Sequence, residues 1–161
     1  MNDIYLLTGG NLGDRLQNLT AAQKLIERNA GLVVKVSGIY ETAAWGFTEQ
    51  ASFLNQVLCI HSNLDPTKLL HCLLQIELEL GRIRVEKMGP RLIDIDILFY
   101  DDQVISTAEL VVPHPRIQER RFVLTPLNEI APDFTHPVLQ KTVKQLLDNC
   151  SDELEVIKYM G

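Results

Sequence analysis

At 161 residues, with 46% hydrophobic content, the chain is long enough for one domain with a substantial core, and its net charge of −6 argues against a general nucleic-acid binder. No apolar run approaches the length needed to cross a bilayer, and no basic region or cleavage site marks a signal peptide, so no membrane partner is expected. Three cysteines (Cys59, Cys72 and Cys150) lie far apart with no CxxC pair, which suggests neither a disulfide framework nor a zinc site and fits a reducing cytoplasm.

Ile4 to Thr8 reads as a short buried strand. Gly9-Gly10-Asn11-Leu12-Gly13 is expected as a turn, with Asp14 capping a helix whose stripe of Leu16, Leu19, Ala22, Leu25 and Ile26 ends at Gly31. Leu32 to Ile39 predicts a second strand, and Thr42 to Ser52, which has no period, a loop. Phe53 to Ser62 alternates like a strand. Asp65-Pro66 caps and opens a helix that stops at Gly81. A charged loop, Arg82 to Pro90, leads into a strand from Ile93 to Phe99. Tyr100-Asp101-Asp102-Gln103 predicts a hairpin turn into Val104-Ile105, and two prolines keep Val111 to Pro115 extended. Thr125-Pro126 is expected to start a short helix that ends by Pro132. A last helix is expected near Thr142 to Asn149, and a weak strand near Leu154 to Ile157. This order, β-α-β-β-α-β with carboxyl-terminal additions, is a ferredoxin-like α+β pattern in a single domain over residues 1–161: a mainly antiparallel sheet flanked by helices. The pattern leaves function open.

Chemistry concentrates in Lys87-Met88-Gly89-Pro90-Arg91-Leu92-Ile93-Asp94-Ile95-Asp96-Ile97-Leu98. Side chains alternate along a strand, so Asp94 and Asp96 share one face, while Ile93, Ile95, Ile97 and Phe99 share the other. Two adjacent carboxylates repel, and burying them is costly. Either they lie on a solvated sheet face or they hold a hard cation such as Mg²⁺, which takes one or two carboxylates plus phosphate oxygens. Arg91, three residues before Asp94, has the fork geometry that suits a phosphate.

Other positions carry weaker signals. Arg82, Arg84, Lys87, Arg91, Arg116, Arg120 and Arg121 occupy two short stretches of an acidic chain, which points to a compact polyphosphate rather than a long polymer. Glu77 falls inside the apolar stripe of its helix, where a carboxylate needs a partner: an internal salt bridge or a ligand. Phe53 and Asn55 share a strand face, where a ring and an amide pack in a core or stack on a flat heterocycle and read its edge. Trp45 is a lid residue or a cover for the core. His114 stands between two prolines, close to Arg116, Arg120 and Arg121, as a structural histidine or a phosphate contact. Gly9 to Gly13 lacks both the Lys-Ser/Thr of a phosphate-binding loop and the dinucleotide glycine spacing. No serine or cysteine has the context of a catalytic nucleophile.

The strand signature Lys87-x-Gly89-Pro90-Arg91-x-x-Asp94-Ile95-Asp96-Ile97-Leu98 resembles that of the 6-hydroxymethyl-7,8-dihydropterin pyrophosphokinases of folate biosynthesis. So do Gly9-x-Asn11-Leu12-Gly13, Tyr40-x-Thr42, Phe53-Leu54-Asn55, Glu77 with Gly81-Arg82-x-Arg84, Val112-Pro113-His114-Pro115-Arg116, and Arg120-Arg121-Phe122-Val123-Leu124 with the residues on to Pro132. All appear in family order. The resemblance implies transfer of the β,γ-diphosphate of ATP to the pterin hydroxymethyl oxygen, with release of AMP. It implies two Mg²⁺ ions on Asp94 and Asp96, with Arg82 and Arg91 stabilising phosphate charge. Glu77, Arg84, Ile97, His114 and Arg120 would form the ATP site. Phe53 and Phe122 would sandwich the pterin, with Thr42, Ala43, Trp45 and Asn55 around it. A cytoplasmic monomer is expected. Ala43-Ala44, Lys87-Met88, Leu74, Glu109 and Val111 depart from better-known members, so nucleotide affinity and loop closure are expected to differ. The rivals are a ferredoxin-like module that senses a nucleotide or metal without turnover, and a kinase that moves only the γ-phosphate.

Overall fold

The computed structural model describes residues 1–43, 52–81 and 92–159. β1 (Asn2–Gly10) leads into α1 (Arg15–Asn29), which Asp14 caps by accepting the Gln17 N–H at 3.1 Å. Gly13 precedes the cap at φ +65°, a left-handed conformation that glycine adopts without strain. β2 (Leu32–Val36), β3 (Tyr40–Thr42) and β4 (Phe53–Ser62) follow. α2 (Pro66–Glu79) starts on the Asp65 cap with its proline in the first turn, as the sequence predicts. β5 (Asp94–Tyr100) carries the two aspartates. β6 (Ile105–Ser106), β7 (Val111–Val112), a 3-10 turn at Ile117–Glu119, α3 (Arg121–Ile130), α4 (Val143–Asp148) and β8 (Ile157–Lys158) complete the order. Among the described residues, no helix is long and apolar enough to cross a membrane.

The main sheet runs β5-β1-β4-β3-β8, with β2 also on β4, and every pairing is antiparallel. This is the expected α+β arrangement. α1 and α2 bring Leu19, Ile26, Leu69 and Leu73 onto Ile4, Leu6, Leu58 and Ile60 of one face. α3 and α4 bring Leu124, Leu127 and Leu146 onto Tyr5, Leu7, Val57 and Phe99 of the other. Each such aliphatic side chain contributes about 1.5–3 kcal/mol by leaving water.

Four expectations are corrected. Leu32 to Ile39 is not one strand: at Ser37 the side-chain oxygen accepts the Val57 N–H at 2.9 Å, the ladder is interrupted, and the chain resumes as β3, which claims Thr42 from the predicted loop. Phe99 does not share a face with Ile97, because the β1–β5 register shifts between Tyr5 and Leu6 and leaves Leu98 unpaired. Phe99 therefore joins the α3 side. The turn at Tyr100 forms, with Gln103 N–H donating to Tyr100 O at 3.0 Å, but β6 pairs with β7 rather than with β5. α3 begins four residues before Thr125, so Pro126 lies inside it.

Candidate active site

Strand register gathers the candidates at one end of the sheet. Gly9 of β1 lies opposite Asp94 on one side and Asn55 on the other, and Asn55 in turn lies opposite Tyr40. One step outward Phe53 faces Thr42, and one step inward Leu7 separates Asp96 from Val57. All of these alternate with Leu54, Leu58, Ile95 and Ile97, which belong to the core under α1 and α2. Asp94, Asp96, Asn55, Phe53 and Thr42 therefore share the α3 side. Thr42 and Asn55 are buried, Phe53 and both aspartates are half-buried, and Ala43 is exposed.

Gly9 has a packing role that the sequence reading assigned to a turn. A Cβ there would lie 2.1 Å from Asn55 Nδ2 and 3.1 Å from Leu54 O, so only glycine lets the Asn55 amide lie across β1. No local pattern announces this, because Gly9 and Asn55 meet through strand pairing. Tyr40 was also missed as a site neighbour. Its hydroxyl donates to Glu129 Oε1 of α3 at 2.7 Å, and burial, then Glu129, push its pKa up to about 12.

Among the described residues, no group of three or more His, Cys, Asp and Glu gathers around a metal position. Two half-buried carboxylates on one strand face nevertheless fit Mg²⁺, whose remaining positions are normally filled by water and phosphate. Behind them, the buried Glu77 reaches from α2 to β5, where its Oε2 accepts the Ile95 N–H at 2.7 Å. The anomalous carboxylate thus touches the backbone between the two aspartates. The Ile97 side chain lies in the core, so a contact with nucleotide from this residue is a backbone one.

Arg120 precedes α3, with its guanidinium 5.6 Å from the centre of the Phe122 ring. Burial and Arg116 lower its pKa, while Asp96 acts in the opposite sense, so Arg120 and Asp96 share one electrostatic environment. Phe122 packs against the α3-side core. Burial, then Arg120 and Arg116, push His114 down to about 4, which leaves it neutral near pH 7. Its Nδ1 accepts the Arg116 N–H at 3.2 Å, so Nε2 carries the proton. Arg121 turns elsewhere: it donates to the carbonyls of Asp152 and Cys150, both at 3.0 Å, and serves the fold. Of the departing positions, Leu74 and Val111 are exposed, and Glu109 meets His71 at 2.9 Å. Trp45, Arg82, Arg84 and Arg91 lie outside the described residues.

Comparisons with known proteins identify the family and the fold. Residues 5–132 match the family described as 7,8-dihydro-6-hydroxymethylpterin-pyrophosphokinase. The chain is 43% identical over 145 residues to the 2-amino-4-hydroxy-6-hydroxymethyldihydropteridine pyrophosphokinase of Aquifex aeolicus (strain VF5), covering 90% of each. With the Bacillus subtilis (strain 168) protein of the same name it shares 48% over 132 residues, or 81% of this chain and 79% of that one. It is 41% identical to the folic acid synthesis protein FOL1 of Dictyostelium discoideum, where it spans 22% of a much longer protein. In fold it resembles Plasmodium falciparum HPPK-DHPS with pteroate, at a TM-score of 0.77 and 18% identity, over 91% of this chain and 42% of that one. The extent of the family match and the identities near half establish that the chain belongs to the 7,8-dihydro-6-hydroxymethylpterin-pyrophosphokinase family.

Proposed function

We infer that Asp94 and Asp96 form the centre of a diphosphate transfer whose pterin acceptor lies over Asn55 and Phe53. The activity itself follows from the family: the chain is a pyrophosphokinase of folate synthesis, moving the β,γ-diphosphate of ATP to the hydroxymethyl group of 6-hydroxymethyl-7,8-dihydropterin and releasing AMP. The observation that carries the placement is the row Asp94–Gly9–Asn55. It sets the backbones of Asp94 and Asn55 two strand spacings, roughly 10 Å, apart, with the Asn55 amide reaching across the intervening Gly9 toward the aspartate strand.

Asp94 and Asp96 would hold two Mg²⁺ ions. When bound, these supply neutralisation of phosphate charge and a template joining ATP to the hydroxyl. Phe53 and Phe122 stack on the pterin, while Asn55 and Thr42 hydrogen-bond its polar edge, with Ala43 and Trp45 beside them. Arg120 and the neutral His114, through Nε2–H, hold nucleotide oxygens. Glu77, Arg84 and the Ile97 backbone complete that site. Arg82 and Arg91 stabilise charge on the phosphates. The reaction is chiefly positioning and charge compensation, so no covalent protein intermediate is required. On this reading the chain is one pyrophosphokinase domain, a cytoplasmic monomer.

The test is to incubate the protein with ATP, Mg²⁺ and the hydroxymethyl pterin and identify the nucleotide product. AMP supports diphosphate transfer. ADP means transfer of a single phosphate, and unchanged ATP means binding without turnover.

A further inference from the structure

We propose that Arg15 is a positioning residue for the pterin: it ties the end of β3 to the start of β4 and so holds Thr42 and Phe53 against each other. Arg15 is the first residue of α1. Its Nη1 donates to Glu41 Oε2 at 2.8 Å and to the carbonyl and hydroxyl oxygens of Ser52, both at 3.0 Å. Ser52 Oγ in turn donates to Glu41 Oε2 at 2.7 Å. Hydrogen bonds from Ser52 and then Arg15 hold the Glu41 carboxyl below the usual carboxylate range, so the triad stays charged near neutral pH.

Glu41 and Ser52 each adjoin a residue assigned to the pterin, Thr42 and Phe53, which face each other across the β3–β4 ladder. Glu41 lies on the opposite side of β3 from Thr42, so the triad grips the pocket wall from behind. The need for such a grip follows from the length of β3, three residues, too short to fix its own register. A third segment joins: the Tyr159 ring centre lies 5.8 Å from the Arg15 guanidinium, and the Tyr159 N–H donates to Ile39 O at 2.8 Å. β8 then pairs with the outer side of β3. One guanidinium therefore connects α1, the β3–β4 pair and the strand that closes the sheet.

This inference rests on the pterin assignment, and the experiment separates the two. The hydroxymethyl dihydropterin is titrated by fluorescence into wild type, Arg15→Ala, Arg15→Lys and Glu41→Gln, and KM for each substrate, kcat and Tm are measured on the same proteins. Arg15→Ala is expected to raise pterin Kd and KM about tenfold, equivalent to about 1.4 kcal/mol, with ATP KM and kcat within about twofold of wild type. Arg15→Lys keeps the charge but loses the fork, and recovers part of the affinity. Glu41→Gln changes pterin affinity in the same direction by a smaller factor, and supplies the reading should Arg15→Ala not fold. Pterin affinity unchanged in the variants overturns the proposal, as does a parallel fall in both affinities and kcat that tracks Tm. Wild type that fails to bind the pterin overturns the functional reading as well.

Discussion

The two faces of the central sheet begin alike and end differently. Toward α1 and α2, Ile4 and Leu6 of β1, Leu54, Leu58 and Ile60 of β4, and Ile95 and Ile97 of β5 carry the core, none more exposed than Ile95 at 6%, and the polar Thr8 and Gln56 between them are buried as well. Toward α3 the same strands start with Tyr5, Leu7, Val57 and Phe99, then give way to Gly9, Asn55, Asp94 and Asp96. A two-residue period gives each face its own sequence, so one strand serves a core and a site at the same level. The closed face teaches why the other can be polar: it keeps the strands fixed where the second core stops.

The largest effect should come from the polar end. Asp96→Ala is expected to lower AMP formation by about 10³-fold or more with little change in Tm, because the role proposed for the pair is charge compensation. Near-normal turnover would reduce that end of the face to ordinary surface. Leu58→Ala, on the closed face, should cost about 2–5 kcal/mol in denaturant unfolding while leaving pterin KM of the folded fraction unchanged. A shift in KM alongside stability would show that the two faces are not separable.

Gly9→Ala sharpens the boundary between them. The new methyl meets mainly the far end of Asn55, so the fold should lose only about 1 kcal/mol while pterin Kd rises about fivefold to tenfold as the amide is pushed aside. Unchanged pterin binding would remove Asn55 from the pocket. A last effect is read against pH and concerns His114, pushed from its ordinary 6.5 down to about 4. Between these values the unfolded chain binds a proton that the folded chain does not, so the stability contributed by neutral His114 is present above about 6.5 and lost as pH falls toward about 4. His114→Gln should therefore lose less stability than wild type between those limits in denaturant titrations, and equal slopes would discard the burial argument.

Much of this architecture was legible because its signals are local. Asp65-Pro66 announces α2, and the alternation of Phe53 to Ser62 matches β4 to the residue. The aspartate pair and the buried Glu77 were legible from period alone. What escaped depends on partners far along the chain. The break in β2 rests on a serine hydroxyl reaching Val57. The early start of α3 is tied to Asp152, whose carboxylate accepts the Arg121 N–H at 3.0 Å. Arg121 itself reads as one of a phosphate-binding cluster until that contact is seen. Gly9 reads as a turn until Asn55 is found above it.

β8 has a practical consequence for anyone handling the protein. Residues 157 and 158 lie alongside Tyr40 and Glu41, a single residue short of Thr42. Because β8 runs antiparallel to β3, the chain leaves it past Tyr40 toward Ile39, so an affinity tag or fluorophore joined after Tyr159 departs on the side away from Thr42 but still beside β3. The amino end is the safer handle: β1 starts at Asn2, at the far end of the strand from Gly9. At about 3.3 Å per residue, that places the start of the strand roughly 23 Å from Gly9.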